Sequence, residues 1–240
     1  MIPSYLGHYQ PDTIVITSPH ATLYADYFHL SPGARAHGDL SGFRARDSRI
    51  DVDYDPELVD AISRQAADAG VPAGTLGERA ADLDHATYIP LYFILQEYAG
   101  FKVVRSGLSG LSPLMHYRYG QCIARAVEET GRRVAFVASG DLSHKLKADG
   151  PYGFAPEGPV FDDRLMEAAG SGDFLTFLEF DESFCEKAAE CGLRSFQIMA
   201  GALDGHAVRP EALSHEDVTG VGYGVVCYEV LEEDDNRHFG

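Results

Sequence analysis

The chain has 240 residues, 45% of them apolar, with 19 Lys and Arg against 37 Asp and Glu and a formal net charge of −18. That length accommodates one sizeable α/β domain. The carboxylate excess speaks against a nucleic-acid partner, which needs a basic surface for its phosphates, and against binding to an anionic membrane face.

No uninterrupted apolar run approaches the ~18 residues of a membrane span. Met1-Ile2-Pro3-Ser4-Tyr5 lacks the charged start and apolar core of a signal peptide. The four cysteines, Cys122, Cys185, Cys191 and Cys227, form no CxxC pair, as expected for reduced thiols in a cytoplasmic protein.

In chain order, Thr13 to Thr17 predicts a β-branched strand, closed by Ser18-Pro19-His20. Pro56 to Ala69 predicts an amphipathic helix behind Asp51, Asp53 and Asp55. Val71 to Leu83 reads as a loop, Ile89 to Tyr98 as a buried helix stopped by Gly100, and Lys102 to Ser106 as a strand. Leu114 to Thr130 predicts a helix ended by Gly131.

Arg133 to Ala138 predicts another strand. Helical segments follow from Phe161 to Leu203, and Val218 to Val230 is a β-type run interrupted by Gly220, Gly222 and Gly224. Those glycines lie within a terminal strand, so they read as points of close backbone approach, not as a dinucleotide loop. The pattern predicts a single α/β domain with a central mixed β-sheet flanked by helices. Its expected bounds are 1–230, with 231–240 as an acidic C-terminal tail.

Two of the strands lead into histidines, His20 and His144, and the carboxyl edge of an α/β sheet is where ligands bind. His85, beside Asp84, and Glu216 complete the candidate set. Each also has a plain structural explanation. His20 would suit a helix start bonded to backbone, Asp141 a helix N-cap beside His144, His85 a core histidine and Glu216 an exposed acid. No motif surrounds His29, His116, His206 or His238.

The segments PDTIVITSPHATLY, LDHATYIPLYF, ASGDLSHKLKADGPYGFAPEGPVFD, AAECGLRSFQIMAGALDG and HEDVTGVGYGV resemble class III extradiol ring-cleavage dioxygenases, the LigB-type superfamily. They are most like the branch found in AmmeMemoRadiSam systems, which is similar to the Memo proteins. The resemblance implies a LigB-like fold and an Fe(II) site of two histidines and one carboxylate, with open positions for a small aromatic diol and dioxygen. It implies His20 and Glu216 as metal ligands, His144 as the base and His85 near substrate and oxygen.

The chain departs from the family pattern at its start, where an upstream histidine ligand is expected and none stands. A start placed too late, replacement by His8, His37 or His215, and loss of iron all remain open. His215, Asp217 and Val218 also differ from the usual residues, and relatives often continue into a second domain. Three functions therefore stand side by side. One is a ring-opening Fe(II) dioxygenase. Another is a Memo-like metal-binding, redox or interaction protein working with a radical-SAM partner. The third is a hydrolase with zinc in the same pocket. Substrate identity and oligomeric state, a homo-oligomer included, are not encoded in any motif.

Overall fold

A computed structural model of the chain describes residues 8–40 and 45–239. Its centre is a parallel sheet of β1 (Thr13–Ser18), β6 (Lys102–Gly107) and β7 (Val134–Ala138), in the order β6–β1–β7. Val15 pairs with Val104 on one side and with Phe136 on the other. All six residues of β1 are buried. That suits a parallel strand covered on both faces, which reads as a continuous β-branched run.

Alternation along β1 assigns the two faces. Val15 and Val104 pack with Leu58 and Ile62 of α1 (Pro56–Asp68) and Ile123 of α3 (Pro113–Thr130). Ile14, Ile16 and Val103 pack with Tyr88, Leu91 and Ile94 of α2 (His85–Leu95). Each such buried aliphatic side chain contributes roughly 1.5–3 kcal/mol. The buried N-cap of α1, Asp55, accepts from Thr13 Oγ1 (2.7 Å) and Arg132 Nε (2.9 Å), which locks that helix to the sheet.

Two antiparallel hairpins add the mixed β character. β3 (Arg35–Leu40) pairs with β4 (Ala45–Asp53), and Ile50 and Val52 join the α2 side of the core. β8 (His206–Glu216) pairs with β9 (Tyr223–Glu233). The short β2 (Phe28–His29) and β5 (Ala73–Gly74) form a small parallel bridge. A further core forms among α4 (Glu157–Ser171), α5 (Leu175–Leu178), α6 (Glu182–Ala188) and α7 (Leu193–Ala202). Phe161, Leu165, Phe174 and Phe177 are its buried centre, with Val208 and Val226 of the second hairpin against it.

The expected strands and helices are largely present, but short β2 and β5 appear where no strand was expected, β5 within the Val71–Leu83 loop, and other elements differ as follows. α2 begins at His85, four residues before the apolar run, because the Asp84 carboxylate caps it through the Thr87 amide. β3, β4 and β8 escape the pattern because their polar-rich sequences pair locally and carry few buried side chains on one face. Strand β9 begins at Tyr223, after a turn closed by Gly220 N–H on Asp217 O.

The acids after Leu231 are largely exposed, and the segment is tied down. Glu232 and Glu233 complete β9, Arg237 lies 5.1 Å over the Phe174 ring, and Asp204 accepts from His238 Nδ1 and Phe239 N–H. No described helix is long and apolar enough to cross a membrane.

Candidate active site

Two loops at the carboxyl edge of the parallel sheet and the first turn of α2 carry the candidate histidines. After β1, the Ser18 hydroxyl accepts the His20 amide at 3.1 Å, which turns the chain and presents the imidazole. His85 is the first residue of α2, and its ring lies 4.2 Å from that of His20, tilted by 39°. Burial pushes the His20 pKa down, and the neighbouring His85 adds to this. Near neutral pH His20 is therefore an uncharged nitrogen donor. His20 opens on a cleft of about 270 Å³ shared with His29, Asp82, Asp84 and Arg105.

After β7, the loop through Asp141 and His144 is held on two sides. Leu142 N–H donates to Gly222 O and Gly222 N–H to Ser143 O, so the lead-in to β9 pairs with this loop. A Cβ at Gly222 would collide with Asp162 Oδ2, so only glycine permits that approach. On the other side, a Cβ at Gly140 would meet the backbone of Gly192, and this close packing brings Cys191 against Asp141.

Asp141 caps no helix. Its Oδ2 lies 3.2 Å from His144 Nε2. With hydrogen on Nε2 this contact is a donor bond to the carboxylate and leaves Nδ1 free to accept. One ligand atom each from Asp141, His144 and Cys191 lies within 4.8 Å of the others. Burial raises the Cys191 thiol pKa to about 12, and the Asp141 and Glu190 carboxylates add to this. Glu190 is itself pushed up by burial, partly offset by the Leu193 amide that it accepts at 2.7 Å. Both Asp141 and His144 lie close enough to His20 to influence its charge.

Of the candidates, His20, His85 and His144 come together, whereas Glu216 does not join them directly. Glu216 is exposed at the end of β8 and lines a neighbouring groove of about 240 Å³ with Leu146, Asp162, Asp163, His215 and Asp217. His215 pairs there with the buried Asp162 at 3.2 Å. His37 pairs with Asp82 at the rim of the His20 cleft, and His8 lies exposed at the start of the described chain. His116 is fully buried in the first turn of α3 and serves the core.

Cys191, Glu190 and the pairing role of Asp141 escape motif reading. The signal was an acid–thiol pair immediately ahead of a glycine in AAECGLRSF. Its partner loop lies 50 residues upstream, and only folding brings the two together.

The donor set decides what the pocket can hold. Imidazole, carboxylate and thiol groups converge, a mixture suited to a first-row transition metal. A bound cation would also reverse the burial and carboxylate effects that keep Cys191 protonated.

The sequence profile described as "Catalytic LigB subunit of aromatic ring-opening dioxygenase" matches residues 3–226. The chain belongs to the LigB family. Protein CA_C1420 of Clostridium acetobutylicum is 35% identical over 234 residues, covering 95% of this chain and 50% of that protein. The 3,4-dihydroxyphenylacetate 2,3-dioxygenase of Escherichia coli is 27% identical over 147 residues, 58% of this chain and 51% of the enzyme.

The LigB chain thus spans about half the length of the curated relatives it matches. The crystal structure of the uncharacterized protein JW3007 from Escherichia coli K12 aligns with a TM-score of 0.64 at 17% identity. That alignment covers 94% of this chain and 90% of the other, and the likeness establishes the LigB chain's fold.

Proposed function

We propose that this LigB chain is an Fe(II)-dependent extradiol dioxygenase that opens a catechol-class ring with dioxygen. The observation that carries the reading is the Asp141–His144 pair near the adjoining His20 and His85 rings, at the sheet edge of a LigB-family chain. His20 would hold the metal, with a carboxylate from Asp141 or Glu216. Glu216 is the residue implied by the family motif, but Asp141 already lies within the cluster. The metal would bring the diol and dioxygen together and acidify the bound phenol.

The chain's own residues account for the proton. His144 Nδ1 accepts it from the diol hydroxyl, and the Asp141 carboxylate at Nε2 stabilises the resulting imidazolium. A general base of this kind contributes typically 10²–10⁴-fold to rate. His85, packed on His20, is placed to donate to an oxygen-derived anion. The neutral state of His20 avoids repulsion of an incoming cation.

One observation supports a second reading. The Cys191 thiol within the donor cluster is a soft ligand that also suits zinc or a redox role, as in a Memo-like protein acting with a radical-SAM partner.

Anaerobic Fe(II) calorimetry on the protein and its His20→Ala variant, followed by oxygen uptake with catechol, separates the two. One Fe(II) site lost in the variant, with ring-opening turnover in the parent, supports the dioxygenase. Metal binding without turnover of any catechol moves the assignment to the second reading.

A further inference from the structure

The cleft beside His20 carries polar groups that neither the metal nor the proton chemistry uses. Much of its lining comes from the segment between β5 and α2, and that segment is fixed at several points. His29 Nδ1 lies 3.1 Å from Leu76 O, Glu78 N–H donates to the Tyr24 hydroxyl at 3.0 Å, and Leu83 N–H donates to His37 O at 2.8 Å. Ser31, whose amide donates to Arg105 O on β6, also lines the cleft.

The lining holds the carboxylates of Glu78, Asp82 and Asp84 against one guanidinium, that of Arg105. His20 and His29 add no charge near neutral pH, because burial lowers both. Asp84 and Arg105 cancel one another, paired at 2.8 Å with side chains only 10% and 9% exposed. Arg105 Nη1 is further committed to Asp82 O at 3.1 Å, and its Nε is sealed inside the protein. The guanidinium therefore offers the cleft no uncommitted charge.

Glu78 and Asp82 remain. Glu78 Oε1 accepts the Ala80 and Arg79 amides at 2.7 and 2.6 Å, which hold its pKa below the ordinary value and leave Oε2 open. Asp82 Oδ1 faces His37 Nε2 at 3.0 Å, leaving Oδ2 open. Ser31 is only 6% exposed, and its hydroxyl bonds no other described residue. Two open carboxylate oxygens and a buried hydroxyl ask for a hydrogen-bond donor with positive charge.

A metal ion is the wrong donor. Among the described residues, the ligand atoms that converge within 4.8 Å are those of Asp141, His144 and Cys191, and the cleft acids form no such group. Acids spread along a cleft of about 270 Å³ suit an organic ammonium instead.

We propose that the cleft beside His20 is a subsite for a cationic ring substituent, so that the substrate is a catechol with an aminoalkyl side chain. The diol would lie at the His20–His144 site, with the ammonium among Ser31, Glu78 and Asp82. The proposal rests on the catechol-dioxygenase reading above and names the substrate class.

The test uses Fe(II)-loaded protein without oxygen. Displacement of 4-nitrocatechol, followed by its absorbance, gives the Kd of dopamine, of 4-ethylcatechol and of dihydrocaffeate. Exposed carboxylates attract a cation only modestly, so dopamine should bind about two- to tenfold more tightly than 4-ethylcatechol at low salt. Dihydrocaffeate should bind more weakly than either. The dopamine advantage should shrink toward unity in a Glu78→Gln, Asp82→Asn double variant, and also in the parent at high salt.

Equal affinity for dopamine and 4-ethylcatechol overturns the subsite and leaves the dioxygenase reading intact, as does tightest binding of dihydrocaffeate. A dopamine advantage that survives in the double variant also overturns it, because the ammonium would then lie elsewhere. If the parent binds none of the catechols, the functional reading falls and this inference with it.

Discussion

The Ser18 hydroxyl donates a 2.6 Å hydrogen bond to Asp84 Oδ1, joining the two turns that carry His20 and His85. Ser18 closes the central strand and accepts the His20 amide; Asp84 caps the helix that begins with His85. Asp84 also accepts from Thr87 N–H (3.0 Å), Thr87 Oγ1 (2.8 Å) and Arg105 Nη2 (2.8 Å), so its buried carboxylate is fully engaged. Burial works to raise its pKa, but the Ser18 bond, Arg105 and Thr87 together hold it below the ordinary value.

Removing that carboxylate should therefore act on both turns at once. Asp84→Ala leaves the Arg105 guanidinium, whose side chain is only 9% exposed, without its ion partner. The expected loss is about 3–5 kcal/mol of stability, as for breaking other buried pairs. Asp84→Asn, which can still accept from Ser18 and Thr87, should lose less. Urea unfolding of the two variants against the parent measures both.

Fe(II) binding would discriminate between the two carboxylates. Asp141 converges with His144 and Cys191, whereas Glu216 faces the groove with His215 and Asp162. Asp141→Asn should weaken Fe(II) binding at least tenfold, in line with the loss of a ligand or its orienting partner. Glu216→Gln should weaken it less. Calorimetry that reverses this order would restore Glu216 as the principal carboxylate ligand.

Acid sensitivity should have a contribution from His116. Its Nδ1 donates to Ser112 O (3.0 Å), and its Nε2 accepts from Ser109 N–H (3.4 Å), an arrangement that fits only the neutral ring. Burial lowers its pKa from 6.5 to about 4. The unfolded chain therefore binds the proton more readily, and this contribution to stability is full above pH 6.5 and lost as pH falls from there toward 4. Between pH 7.5 and 5 the loss from this group is about 2 kcal/mol. Urea midpoints at the two values should differ less in His116→Gln than in the parent.

Gly222 is the point at which the β9 lead-in meets the Asp141–His144 loop. Gly222→Ala forces its new methyl group into Asp162 Oδ2 and against Leu142 Cβ (2.9 Å). Overpacking of this kind costs about 1–3 kcal/mol. Because Ser143 also bonds Asp162 Oδ1 at 2.8 Å, the variant should lose turnover as well as stability. Unchanged values for both would mean that the loop and strand can separate without consequence.

The sequence by itself determined the central strands and the loops that leave them, while their all-parallel pairing came only with the structure. A β-branched run can be buried on both faces only as a central strand, and Ser18-Pro19 can only break it, so β1, β6, β7 and the positions of His20 and His144 were legible. The glycines of GVGYG announced a close approach without naming its partner. What only the tertiary structure decided lies in contacts between segments distant along the chain. Asp84 reaches Ser18 across 66 residues, Cys191 reaches Asp141 across 50, and β8 is a strand because β9 pairs with it. Local pattern records which way a side chain must face, whereas the meeting of two loops depends on packing summed over the whole core; Glu216 could be marked as a candidate, but the groove it enters was settled by the second hairpin.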